Sequence, residues 1–311
     1  MKSISSIALL TIISVAIQLP LAAGAQKTDA KASPNDELDK LFAYDQSTTF
    51  DLRQESTKEL GGAVIEDVTY AAQTPRRGRI KAYLIRPVGK GPFAGVLFFH
   101  WLGTPKGDRT QFVDEAMELA KRGAVSLLIQ GHFPWIVEPS DGPTDQQLVV
   151  DETKEVRRAL DLLLSQPDVD RKRIGYVGHD YGAMYGSLAA SVDDRVKTYV
   201  LIAGTGSFSD WSLDYWLKAK PAEFKGSYRE AFRNLEPIAL IGRAAPAELL
   251  FQFAKTDKYI PTEAATAFFD AAKQPKQVKW YDTIHEMNIE AARNDRLQWL
   301  SQKLSLSKSL N

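Results

Sequence analysis

The chain contains no cysteine. No disulfide supports its fold, whichever compartment it occupies. It also lacks net charge, because 39 basic and 39 acidic side chains cancel. Nucleic-acid binders depend on clustered Lys and Arg, and no basic stripe with interleaved aromatics occurs here. That class is excluded. Histidine is scarce, with four in 311 residues, and their spacing offers no metal-ligand pair. Neither a phosphate-cradling loop nor a strand–Gly–helix dinucleotide motif is present. No metal or cofactor is expected, and the partner is a small-molecule substrate. Beyond residue 21 no apolar run approaches the ~20 residues that a bilayer-spanning helix needs.

What is present begins with an export pattern. Lys2 supplies a positive start, residues 7–21 form an apolar run, and Ala23-Gly24-Ala25 fits a small-x-small cleavage site. Residues 1–25 read as a signal peptide, so the mature protein is expected to be periplasmic or secreted, without stable membrane insertion. Residues 26–60 read as an N-terminal leader. Its first ten residues are polar, and 38–60 carry no assignable pattern. Hydrophobic residues make up 44% of the chain, ample for a packed core, and residues 61–308 are expected to form it as one domain.

Within that domain strand and helix alternate. Residues 64–71 and 79–87 alternate as an antiparallel pair. Residues 93–100, 124–130, 173–177, 196–203, 249–254 and 278–281 read as strands, and the continuous apolar runs among them suit strands buried on both faces. Helical spacing runs through 109–121, 149–164, 183–190, 263–272 and 289–304. Such alternation demands an α/β fold with a mostly parallel sheet flanked by helices. Chemistry is then expected at the carboxyl ends of the strands. Residues 204–245, rich in Trp, Tyr and Phe, interrupt the alternation and read as a short helical lid over those ends.

Three polar residues follow predicted strands. Gly178-His179-Asp180-Tyr181-Gly182 bridges the strand RIGYV and the helix AMYGSLAA. A sharp strand-to-helix turn of this kind lifts Asp180 off the sheet and turns the Tyr181 amide toward developing negative charge. Asp257 follows LLFQFA, and His285 follows VKWYD. The order Asp180, Asp257, His285 is nucleophile, acid, base. The bland readings are a turn aspartate, a helix-start carboxylate and a buried histidine. Shared position after strands favours the catalytic set. His100 and His179 read as structural, and a loop role for His132 is at least as strong as a pocket role.

From about residue 64 onward the chain resembles bacterial α/β-hydrolases related to the dienelactone hydrolase group. The resemblance lies in the FFHW strand end, EAMELAKRGAVSLL, DRKRIGYVGHDYGA, AELLFQFAKTDKYIP and YDTIHEMN. The GHD elbow followed by an aromatic and Gly resembles haloalkane dehalogenases and epoxide hydrolases. The lid is smaller than their usual cap, and the cysteine of dienelactone hydrolase is missing. The resemblance implies an α/β-hydrolase fold and a second oxyanion amide after the first buried parallel strand. Trp101 is expected to supply it, with Leu102 next.

A carboxylate attacking an acyl carbon would leave a labile mixed anhydride. Attack on a saturated carbon leaves an alkyl ester of Asp180, which His285, oriented by Asp257, can hydrolyse through water. A haloalkane or an epoxide would suit. Trp101 and Trp135 are the candidate halide donors near the strand ends, and Tyr215 or Tyr228 a candidate acid for an epoxide oxygen, although packing alone explains each. Two alternatives stand beside this reading. One is an esterase or lactonase with Asp180 as base on water. The other is a non-catalytic binding protein on the same scaffold.

Overall fold

The computed structural model describes residues 34–74, 77–104, 106–133 and 138–307. The expected signal peptide and Trp135 lie outside them. In chain order the elements are α1 (Pro34–Leu41), β1 (Arg53–Leu60), β2 (Ala63–Ala71), β3 (Arg79–Pro87), β4 (Phe93–Phe99), α2 (Val113–Ala120), β5 (Ala124–Ile129), α3 (Gly142–Leu164) and β6 (Val169–His179). There follow α4 (Tyr181–Val192), β7 (Thr198–Ile202), α5 (Phe208–Tyr215), α6 (Ala222–Phe232), α7 (Pro237–Leu240), β8 (Glu248–Ala254), α8 (Thr262–Ala271), β9 (Lys276–Tyr281) and α9 (Glu290–Lys303).

The strands among these residues form one nine-stranded sheet in the order β1-β2-β3-β5-β4-β6-β7-β8-β9. The pairs β1–β2, β2–β3 and β3–β5 are antiparallel, and every later pair is parallel. The six strands from β4 to β9 therefore end on one edge. β4, β5 and β7 are buried at every residue, as strands covered by helices on both faces must be.

The N-terminal expectation needs correcting. The segment read as a leader joins the domain from α1 onward. Leu38 and Phe42 enter the core, and β1 adds the outer strand through a register from Arg53↔Thr69 to Leu60↔Ala63. Every residue of β1 is exposed, so RQESTKEL carries no apolar alternation to read. α3 also starts earlier than helical spacing predicts. Asp141 caps it by accepting from the Thr144 amide, with Pro143 in the first turn, a start signal that lies outside the apolar stripe. α2 is shorter than expected because turns occupy residues 109–112.

Candidate active site

The turn after β6 is the most constrained point of the backbone. Asp180 has φ +55° and ψ −116°, a region that L residues with a Cβ avoid. The surrounding packing enforces it. A Cβ on Gly182 would stand 2.2 Å from the Phe99 carbonyl oxygen, and one on Gly178 would stand 2.3 Å from the Gly182 oxygen. Only glycine lets β4, β6 and α4 approach this closely. The Asp180 amide bonds to the Ile202 carbonyl at 2.8 Å, while the Asp180 carbonyl accepts from Ala183 and Met184. The side chain is left facing the strand ends.

The structure brings the three expected residues together. His285 Nδ1 lies 2.8 Å from Asp257 Oδ2, and its Nε2 lies 3.9 Å from Asp180 Oδ1. Asp257 is fixed through Oδ1, which accepts from the amides of Tyr259 and Ile260 at 2.8 and 3.0 Å. The bond to Asp257 makes Nδ1 the protonated nitrogen and leaves Nε2 free to take a proton. Asp180 and His285 are both buried.

The oxyanion expectation is shifted by one residue. The Leu102 amide donates to Asp180 Oδ2 at 3.0 Å. The Trp101 amide is occupied by Gln111 Oε1 at 2.9 Å. Gln111 also reaches His179 Nδ1 at 2.7 Å, and His179 Nε2 contacts the His285 carbonyl at 2.9 Å. The Trp101 ring stacks on His179 at 5.3 Å and 5°. Trp101, Gln111 and His179 thus form a rigid seat beneath the loop that presents Leu102. The Tyr181 amide favours the charged form of Asp180. His100 is structural, bridging the Trp101 carbonyl and the Gly131 amide. Burial pushes it down to about 4, so it stays neutral.

The lid divides its aromatics differently from the sequence reading. Tyr215 is exposed and its hydroxyl donates to the Tyr259 carbonyl at 3.2 Å. The Tyr228 hydroxyl donates to Asp145 Oδ2 at 2.8 Å. Neither phenol is free for an epoxide oxygen. Trp211 on α5 is the residue that sequence reasoning missed. Its ring lies 6.0 Å from those of His285 and Tyr181, and its Nε1 is buried without a hydrogen-bond partner. The spacing of Phe208, Trp211 and Ser212 along one helical face was the available signal.

Electrostatically the site opposes its own charge. Burial pushes the Asp180 carboxyl up to about 6, against the charge of His285 and the amides of Leu102 and Tyr181, which favour ionisation. For His285, burial pulls downward, but the Asp257 hydrogen bond and the charges of Asp180 and Asp257 outweigh it and leave the imidazole above its usual value. His179 is held well below the usual range by burial and by His285. Asp180 Oδ1 is buried with no hydrogen-bond partner. The arrangement offers an ionisable carboxylate with one oxygen held and one unpartnered, a base beside it and a donor opposite.

Several solved structures share this architecture. Acetyl xylan esterase 1 of a Thermoanaerobacterium species superposes with a TM-score of 0.67 at 15% identity, covering 87% of this chain and 93% of that one. The acetyl xylan esterase of a Paenibacillus species gives 0.68 at 18%, covering 86% and 93%. The glucuronoyl esterase of Solibacter usitatus gives 0.60 at 14%, covering 86% and 92%. The fold is that of the α/β-hydrolases.

In sequence, acyl-coenzyme A amino acid N-acyltransferase 2 of Rattus norvegicus is 28% identical over 167 residues, 51% of this chain and 37% of that protein. This chain therefore spans well under half the length of that relative. No protein-family model matches the sequence. Among the described residues no three His, Cys, Asp or Glu side chains gather to hold a metal ion. None of their helices is long and apolar enough to cross a membrane.

Proposed function

We propose that this chain is a hydrolase in which Asp180 displaces a leaving group from a saturated carbon and His285 drives hydrolysis of the resulting ester. The observation that carries this reading is the asymmetry of the Asp180 carboxylate. Oδ2 is held by the Leu102 amide, while Oδ1 has no partner and faces His285 Nε2 across 3.9 Å. A carboxylate needs no proton removed before it attacks, so a direct bond to the base is unnecessary.

In the first step Oδ1 bonds to carbon and the leaving group departs with its electron pair. In the second, His285 takes a proton from water and the hydroxide adds to Cγ of Asp180. The charge that develops falls on Oδ2, the oxygen already held by the Leu102 amide, and the Tyr181 amide, which favours the charged carboxylate, supports it. Collapse breaks the bond from Cγ to Oδ1 and expels the alkoxide, which recovers the proton from His285, while Asp180, left as the carboxylic acid, releases its proton to solvent. The unpartnered indole N–H of Trp211 suits an anionic leaving group such as halide, and both candidate phenols donate elsewhere. That supports a haloalkane over an epoxide.

A second reading is favoured by two observations. The Asp180 carboxyl is pushed up to about 6, a useful strength for a general base near neutrality. The structural neighbours named above are esterases. An esterase or lactonase using Asp180 as base on water would then apply. The deciding experiment begins with a turnover screen of haloalkanes, epoxides, lactones and aryl esters. His285→Gln is then incubated with an active substrate, and intact mass and peptide mapping are recorded. A stable adduct on Asp180 is expected. A folded, substrate-binding variant that never gains mass would move the assignment to the esterase.

The same proposal places the mature protein outside the cytoplasm, on the strength of Lys2, the apolar run and Ala23-Gly24-Ala25. Mass spectrometry of protein from its native host should find an N-terminus near Gln26. A soluble mature chain retaining Met1 would count against export.

A further inference from the structure

The lid helix α5 is fastened at its start by a side chain that the proposed chemistry does not use. Ser207 caps α5, its hydroxyl accepting from the Asp210 amide at 3.0 Å. Such a cap belongs to the same stretch of chain and moves with its helix. Glu236 comes from elsewhere, immediately before α7, and is buried. Its Oε2 accepts from the Phe208 amide at 2.6 Å. Its Oε1 accepts from the Ser207 hydroxyl at 3.1 Å, the Ser209 amide at 3.2 Å and the Ser209 hydroxyl at 2.5 Å.

Capping alone does not require this carboxylate. Burying it costs free energy, and burial holds it above the usual range against the hydrogen bonds from Ser209, Phe208 and Ser207. What Glu236 adds is a fixed reference. α7 packs on α4, the helix that leaves the elbow. The loop before α5 is pressed against α7, where the Ile238 amide donates to the Gly206 carbonyl at 3.0 Å and a Cβ on Gly206 would stand 2.9 Å from that of Ile238. The root of α5 is therefore registered to the elbow. Two further ties of α5 lie in solvent, the Arg229–Asp210 pair and the Tyr215–Tyr259 bond, and exposed pairs contribute little. Close to the clamped root, Trp211 places its ring 6.0 Å from those of His285 and Tyr181, and Phe208 places its ring 5.1 Å from that of Tyr185.

We propose that Glu236 is a positioning residue, which by clamping the root of α5 seats the Trp211 indole beside His285. Its effect on rate rests on the reading of Trp211 as donor to the leaving group. The seating of the ring does not, so the test reads both.

The full chain is labelled with fluorotryptophan, so that each of its six tryptophans gives a fluorine resonance. Those of Trp211 and Trp299 are assigned from Trp211→Phe and Trp299→Phe. In Glu236→Gln an amide NH2 replaces one acceptor oxygen and opposes the donors of α5. The Trp211 resonance is expected to shift or broaden. That of Trp299, whose indole donates to Thr198 on β7, should hold its place and report an intact core. With a substrate active in the turnover screen, kcat should fall about tenfold, and by less than about twofold where Trp211 is already Phe. If Glu236→Gln does not fold, Ser209→Ala deletes one of the four donors and should move the Trp211 resonance in the same way. Unchanged turnover in Trp211→Phe, with a moved resonance in Glu236→Gln, would remove the indole from the reaction and leave the clamp supported. A Trp211 resonance that stays in place in the folded clamp variant would overturn the proposal. So would kcat losses that multiply in the double variant when Trp211→Phe itself slows turnover.

Discussion

A buried carboxylate that resists ionisation leaves a signature in stability as well as in rate. The Asp180 carboxyl stands at about 6 in the folded protein, against an ordinary 3.8. Above pH 6 both folded and unfolded chains carry the charge, and the fold bears the whole cost of burying it. As pH falls from 6 to 3.8 that cost fades, and below 3.8 it is gone. Asp180→Asn should therefore be more stable than wild type at neutral pH, by on the order of 2–3 kcal/mol, with the advantage vanishing in acid. Thermal melts at neutral and acid pH check this, and a less stable variant at neutral pH would contradict it.

The same residue scale shows what was legible. Asp180, Asp257 and His285 could be found because position after a strand determines which edge of a parallel sheet a side chain reaches. The held amide could not. Which of two adjacent amides faces the carboxylate depends on Gln111, whose side chain claims the first. Gln111→Ala should leave the Trp101 amide and His179 Nδ1 without their partner. Urea denaturation should show a loss of about 1–3 kcal/mol, with activity falling further as the loop carrying Leu102 loosens.

At the scale of elements, the elbow and the lid divide the work. The junction of β4, β6 and α4 leaves no room for a methyl group at residue 182. Gly182→Ala should therefore displace the elbow, and a loss of soluble, active protein is expected. The lid contributes Trp211 on α5, and Trp211→Phe separates packing from hydrogen bonding there. The variant should keep its melting temperature within a few degrees. Turnover of a haloalkane should fall about 10- to 100-fold, because a donor to the leaving group is lost. Unchanged turnover would remove the indole from the mechanism. The lid was readable because seven aromatics between residues 204 and 245 break the strand–helix alternation. For which ring points inward the sequence offered only the helical face shared by Phe208, Trp211 and Ser212, and the seating of α5 on the elbow settles it.

Across the whole molecule the least legible part was the N-terminal segment, and it is built into the core. Arg158 on α3 is fully buried. Its guanidinium donates to the carbonyls of Ala71, Thr48 and Thr49 and lies over the Phe50 ring. Carbonyl oxygens hold this cation, so no acidic partner in the sequence betrays the contact. Removing residues before 51 would take two of those carbonyls, the ring and Phe42. A loss of about 3–5 kcal/mol is expected, measured by chemical denaturation. The mostly parallel sheet flanked by helices, by contrast, followed from the alternation of elements, because strands joined by helical crossovers run parallel.

The placement of the site on that sheet carries a further consequence. Leu102, Asp180, Asp257 and His285 hang from β4, β6, β8 and β9, four strands spread across the parallel half. No two of them share a loop. Their geometry therefore registers the alignment of that half of the sheet, as a vernier registers the sliding of two scales. On slow heating, catalytic competence should persist until the sheet itself gives way, and its disappearance should coincide with the loss of strand signal.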